Sequence, residues 1–206
     1  GPALPLGIYS VAEVLDVTTL VDLEPEALLA LLEPVADPGL RFLRAARLPD
    51  DSPACARVAK LAEYVAAAPG WTTGQLEEAV QRALGATPIE VVAVRKKGPR
   101  TIDVRDGLLS MAVDVPNANE QAALGLAADS PLLRWRVDLD QGAHVRAYEL
   151  CRGLLGDAGR PEGWIGARVA LWGLRKGQVF DLLRPDERLD AARHTELGYP
   201  TASAEG

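Results

Sequence analysis

An α+β fold is what this sequence predicts, and two observations carry the expectation. Segments with apolar residues at every second position, such as Leu132 to Leu139, are interleaved with segments striped at helical spacing, such as Leu76, Val80, Ala83 and Leu84. Clusters of Pro, Gly and Asp separate them, notably Pro38-Gly39 and Asp50-Asp51-Ser52-Pro53. No apolar run approaches the roughly 20 residues that a membrane-spanning helix needs.

In chain order, Glu13 to Leu20 alternates as a strand would. Asp22-Leu23-Glu24-Pro25 then opens a helix, with acids near its positive end and Pro25 in the first turn. Leu28, Leu31, Leu32 and Val35 supply its stripe, Pro38-Gly39 ends it, and Leu40 to Ala46 reads as the next strand. Beyond the Asp50–Pro53 break, Ala54 to Leu61 suits a short helix and Glu63 to Ala67 a strand. Thr72 and Thr73 cap a helix that Gly85 closes. Ile89 to Val94 and Thr101 to Val104 flank a basic turn, and Leu108 to Val115 is a further apolar piece. Asn117 to Ser130 suits a surface loop or a weak helix. Leu132 to Leu139 is a strand around Trp135, His144 to Leu155 a helix, and Ile165 to Leu174 a long strand paired through Lys176-Gly177 with Gln178 to Asp181. From about Arg188 the apolar rhythm is lost, as in a mobile tail.

Strand, helix, strand, strand, helix, strand is the order of a ferredoxin-like unit. The expected organisation is therefore two ferredoxin-like α/β sandwich units in tandem. Residues 1–50 form the second half of an incomplete first unit, residues 51–185 the second unit, and residues 186–206 a tail. The chain begins Gly1-Pro2 and its single methionine is Met111, so a fragment or a processed chain is expected.

A formal charge of −7 over 206 residues argues against general polyanion affinity, so any nucleic-acid site must be a local basic patch. Such a patch exists. Arg95, Lys96, Lys97, Arg100 and Arg105 place five cations between two strand-like runs, where a two-stranded ribbon could reach successive phosphates. The plainer reading is a solvated hairpin whose charges keep a strand edge from aggregating. Arg134 and Arg136 share a strand face and are secondary candidates, with Trp135 pointing to the opposite side. Arg41, Arg44 and Arg47 make a poor patch, because a strand would turn Arg44 away from the other two.

Other chemistry is sparse. Cys55 and Cys151 are far apart and lack Cys-x-x-Cys spacing, so two reduced, packed thiols are expected. His144 and His194 lack partners at metal-ligand spacing. Asp103 and Asp114 could lie on neighbouring strands, but ordinary surface acids are the plainer reading. Gly153 to Gly159 follows a helix and ends without Lys-Ser/Thr, so it reads as a helix terminus and not a phosphate loop. No catalytic residue, metal or cofactor is expected, and whether the chain is an enzyme stays open, with the balance against it.

Several segments carry a family resemblance. Pro2-Ala3-Leu4-Pro5-Leu6-Gly7 and Ser10-Val11-Ala12-Glu13-Val14-Leu15-Asp16-Val17 are joined by Pro38-Gly39-Leu40, Ala62-Glu63-Tyr64, Arg95-Lys96-Lys97-Gly98, Thr101-Ile102-Asp103-Val104-Arg105 and Leu108-Leu109-Ser110. In order and spacing they resemble an uncharacterised bacterial radical-SAM-associated domain, found alone or fused behind a B12-binding radical SAM enzyme. The resemblance runs from Gly1 to about Pro185. It implies a radical SAM protein as partner and, through an associated RNase E/G-type ribonuclease, an RNA substrate, but no catalytic residues. Members usually carry a longer front segment with a Ser-His-Leu-Asp-like motif, which is not found here.

The expected function is that of a cytoplasmic, non-catalytic accessory domain that works with a radical SAM enzyme and contacts RNA through the basic hairpin. The alternative is a protein-interaction module that docks the radical SAM partner without touching RNA. A third, an enzyme with Asp103 and Arg105 in its site, ranks below both. No membrane partner is expected, and the sequence leaves the oligomeric state open.

Overall fold

The computed structural model describes residues 4, 7–86, 88–105, 107–140, 146–159, 162–175, 178–184 and 197. A two-residue strand β1 (Tyr9–Ser10) is followed by helix α1 (Pro25–Leu32), a 3-10 turn at Glu33–Val35 and a short helix α2 (Cys55–Val58). Strand β2 (Ala59–Ala67) leads into helix α3 (Thr73–Gly85), and a hairpin of β3 (Glu90–Arg95) and β4 (Gly98–Asp103) follows. Then come β5 (Leu108–Asp114), α4 (Ala118–Leu124), β6 (Leu132–Asp138) and α5 (Ala147–Leu155). A 3-10 turn at Gly156–Gly159 precedes β7 (Ile165–Arg175) and β8 (Gln178–Asp181).

The fold is α+β. The main sheet runs β7-β2-β6-β5, every neighbour antiparallel, with β1 and β8 along the far edge of β7. Taking β2, α3, β5, β6, α5 and β7 as strand, helix, strand, strand, helix, strand gives the spatial order 4-1-3-2 of a ferredoxin-like sandwich. The β3–β4 hairpin is an insertion between the first helix and the second strand, and it forms a two-stranded sheet of its own.

Helices α3 and α5 cover one face of the main sheet. Leu76, Val80 and Ala83 from α3, with Leu150 and Cys151 from α5, pack on Ala66, Met111, Leu133 and Trp135. Thr72 accepts a hydrogen bond from the Gln75 N–H at 3.2 Å and so starts α3 as the sequence predicts. The opposite face is covered too. Leu124 and Leu126, at the end of α4 and just past it, pack on Val65, Ala67, Leu132 and Ala167. A sheet buried on both sides has no reason to alternate, which is why Ala59–Ala67 reads as a nearly continuous apolar run.

The front of the chain differs from expectation at two elements. The helix after Asp22 forms as α1, but Glu13 to Leu20 and Leu40 to Ala46 run without regular structure. A strand exists only where a neighbour takes up its hydrogen bonds, and no partner strand reaches either segment among the described residues. His144, His194 and the Lys176-Gly177 connection lie outside the described residues. So does the expected tail, apart from Leu197, which is buried against Leu61, Trp172 and Val179. Among the described residues no helix is long and apolar enough to cross a membrane.

Candidate nucleic-acid interface

The hairpin is built around tight pairing. Val91 faces Ile102, Ala93 faces Arg100 and Arg95 faces Gly98, which leaves Lys96-Lys97 as the two-residue turn. The sequence suggests a wider turn because Gly98-Pro99 looks like a break. Instead Gly98 takes a φ of +110°, which suits only glycine, and Pro99 sits inside β4. Val94, opposite Pro99, sends its N–H outward to Glu149 Oε1 at 3.0 Å. At such a pair the N–H on the other strand also points out of the ribbon, and proline has none to lose.

One side of the ribbon is anchored on α5. Val91 and Ala93 are buried, and a Cβ at Gly153 would stand 2.8 Å from Val91 Cγ1, so this glycine lets helix and strand approach closely. Glu149 couples the two, since its other oxygen accepts from the Arg146 N–H at 3.0 Å and caps α5. At the base, Asp103 Oδ1 accepts from the N–H groups of Ile89 (3.0 Å) and Arg105 (2.9 Å), and Val104 N–H donates to Ile89 O at 3.0 Å.

The sequence-predicted cations therefore separate into three settings. Lys96, Lys97 and Arg100 are exposed at or beside the turn. Arg95 ends β3, and its side chain lies outside what the structure describes. Arg105 sits half-buried at the base, its Nη1 donating to Leu84 O at 3.4 Å. Arg134 and Arg136 are elsewhere, on the main-sheet face that α4 covers, and both are held in ion pairs.

That ion-pair group is the feature sequence reading missed. Arg134 donates through Nη1 to Glu63 Oε1 (2.9 Å) and Glu120 Oε1 (2.9 Å), through Nη2 to Glu120 Oε2 (2.8 Å) and through Nε to Asp114 Oδ2 (2.8 Å). Arg136 Nε donates to the second oxygen of Glu63, and its guanidinium lies 5.9 Å from the Trp172 ring centre. Burial alone would lower the pKa of Arg134. Glu120, Glu63 and Asp114 outweigh it and raise the pKa, so the charge is locked on. Two signals could have found the group. Glu63 is an acid inside an apolar strand, and Asn117 with Glu120 spells a capping box, which the structure forms.

The remaining candidates are plain. Asp103 and Asp114 belong to different sheets, because the hairpin carries one and β5 the other, so they do not sit on neighbouring strands. Trp135 faces the core, stacked on Tyr64 with ring centres 5.7 Å apart. Cys55 and Cys151 are free and buried. Burial and then the Asp16 carboxylate push the Cys55 thiol up to about 11, and burial pushes Cys151 up to about 12, so neither supplies a thiolate near neutral pH. Among the described residues no group of three His, Cys, Asp or Glu side chains could hold a metal ion.

No curated protein and no solved structure matches this chain. A family model does, over residues 1–135, which takes in β1 to β5, the hairpin and β6 as far as Trp135. The chain belongs to that family, described as an uncharacterised protein conserved in bacteria (DUF2344).

Proposed function

We propose that this chain is a non-catalytic accessory domain that works beside a radical SAM enzyme and contacts RNA backbone through the tip of the β3–β4 hairpin. One observation carries the reading: Lys96 and Lys97 are exposed at the turn and Arg100 is exposed on the adjoining strand β4, in a chain whose formal charge is −7. Cations at a turn can follow phosphates without reading bases. The radical SAM partner rests on the family resemblance. Arg134 and Arg136, held by carboxylates, drop out of the contact set, and Arg105 plays its part at the base of the hairpin.

Gel-shift binding to total cellular RNA over a salt series tests this. Three phosphate contacts give a slope of log K against log salt of about −2 for single strands and about −3 for duplex. Lys96→Glu with Lys97→Glu is expected to abolish retention. Binding that survives the double reversal refutes the hairpin as the site.

A second reading is favoured by a different observation. Among the described residues β4 pairs only with β3, and Val92 and Val94 are exposed on the same ribbon. An uncovered edge of this kind can accept a strand from the radical SAM partner, with no RNA involved. A complex with that partner that ignores the double charge reversal, together with no RNA retention at low salt, selects this reading.

A further inference from the structure

Between Glu13 and Ala54 lie forty-two consecutive residues of which none is buried, including all of α1. Nine large aliphatic side chains of this arm are exposed, from Leu15 to Leu48, with Leu20, Val35 and Leu43 at 104%, 75% and 71%. Full burial of a Leu or Val side chain removes roughly 100 Å² of apolar surface, so the arm leaves on the order of 600 Å² uncovered. Summed along the arm, that area is close to one partner's share of a small specific interface.

The charge on the arm selects the occupant. Residues 13–51 hold nine acids against three arginines, a formal charge of −6 in a chain of −7. Two acids, Asp22 and Glu24, already pair with Arg47 in the same arm. This shows that an arginine set among these leucines and valines finds carboxylates within reach. A nucleic acid or the anionic leaflet of a membrane is repelled by such a surface. A second copy brings the same −6 against it. What fits is a polypeptide segment that is apolar on one face and cationic around it.

We infer that the arm over residues 13–51 is the docking surface for a cationic, amphipathic segment of a partner protein. Among the described residues, Val14 of the arm packs on the body beside Ala59, Ala62 and Leu171, and polar contacts join the two. Asp16 Oδ2 accepts from the Cys55 N–H at 2.9 Å, Arg44 Nη1 donates to Leu183 O at 3.3 Å, and Glu13 pairs with Arg168. The arm is thereby held beside the sandwich while Leu15, Leu20, Leu31, Leu40, Leu43 and Leu48 stay exposed. The surface is independent of the hairpin and of any RNA contact there.

The probe is a synthetic amphipathic peptide of leucine and lysine. Its controls are the same peptide with glutamate for lysine and a leucine–lysine scramble without an apolar face. Saturable binding of the first alone is expected, with amide shift changes confined to residues 13–54. Leu20→Ser, Leu31→Ser and Leu43→Ser combined are expected to weaken it at least tenfold. Glu26→Gln, Glu33→Gln and Asp37→Asn combined are expected to weaken it severalfold and flatten its salt dependence. Because none of these six side chains is buried, the urea midpoint of the body should stay in place in both variants. Equal binding of the controls, or shift changes outside the arm, overturns the inference. So does sedimentation that shows a dimer lost in the triple-serine variant, since that makes a second copy the occupant.

Discussion

Replacing Arg134 by methionine keeps much of the side-chain volume and removes the cation at the centre of the α4-covered face. The Arg134 side chain is 15% exposed, and its partners Glu63 and Glu120 are 8% and 4% exposed. Glu63 keeps Arg136, and Glu120 keeps the Asn117 N–H that it caps at 3.0 Å. Glu120 is nevertheless left as a buried carboxylate without a counter-charge, a defect that costs about 3–5 kcal/mol, and the surviving partners point to the lower end. With a urea m-value of about 2 kcal/mol/M, a loss near 3 kcal/mol moves the unfolding midpoint down by about 1.5 M. Glu120→Gln alone should cost only about 1–2 kcal/mol, because Arg134 retains Glu63 and Asp114. The double variant should then be more stable than the two losses summed, by about 1–2 kcal/mol. A midpoint shift under about 0.3 M for Arg134→Met, or strictly additive losses, would refute the claim that these charges act as one buried unit.

Two further outcomes can be checked on the same samples. Asn117→Ala removes the side chain that accepts from the Asn119 and Glu120 N–H groups at 3.0 Å, and should lower stability by about 1 kcal/mol in the same urea titration. The thiols give a pH dependence. Both have folded-state pKa values above the ordinary 9.0, so the stability they contribute is whole below pH 9 and is lost as pH rises towards about 11 for Cys55 and about 12 for Cys151. The alkaline loss should shrink in Cys151→Ala, and a thiol reagent at neutral pH should label neither cysteine until urea unfolds the chain.

Local signals were legible wherever a segment's structure depends on its own residues. Thr72 and Gly85 bound α3 as read, and Leu132 to Leu139 and Ile165 to Leu174 form β6 and β7. Glu13 to Leu20 alternates as well, yet neither it nor Leu40 to Ala46 forms a strand, because a sequence pattern describes one strand and pairing needs two. The exposed lysines of the turn could be read because a tight hairpin projects its tip. The state of Arg134 and Arg136 could not. Their alternation with Trp135 correctly put them on one face, but whether that face meets water or acids depends on Glu63 and Glu120, which lie 71 and 14 residues from Arg134.

The order β7-β2-β6-β5 also has a consequence in time. Strand β2 is central, yet its neighbour β7 begins at Ile165, so Tyr64 waits for Arg168, roughly a hundred residues further along. A chain leaving the ribosome can close β2 on β6 early, but one edge of its most apolar strand stays bare until β7 has been synthesised. The stretch matched by the family model stops at residue 135, within β6 and ahead of that strand. A piece cut to the matched boundary would thus carry half a sheet with an open seam, and the smallest part expected to fold must run through Asp181.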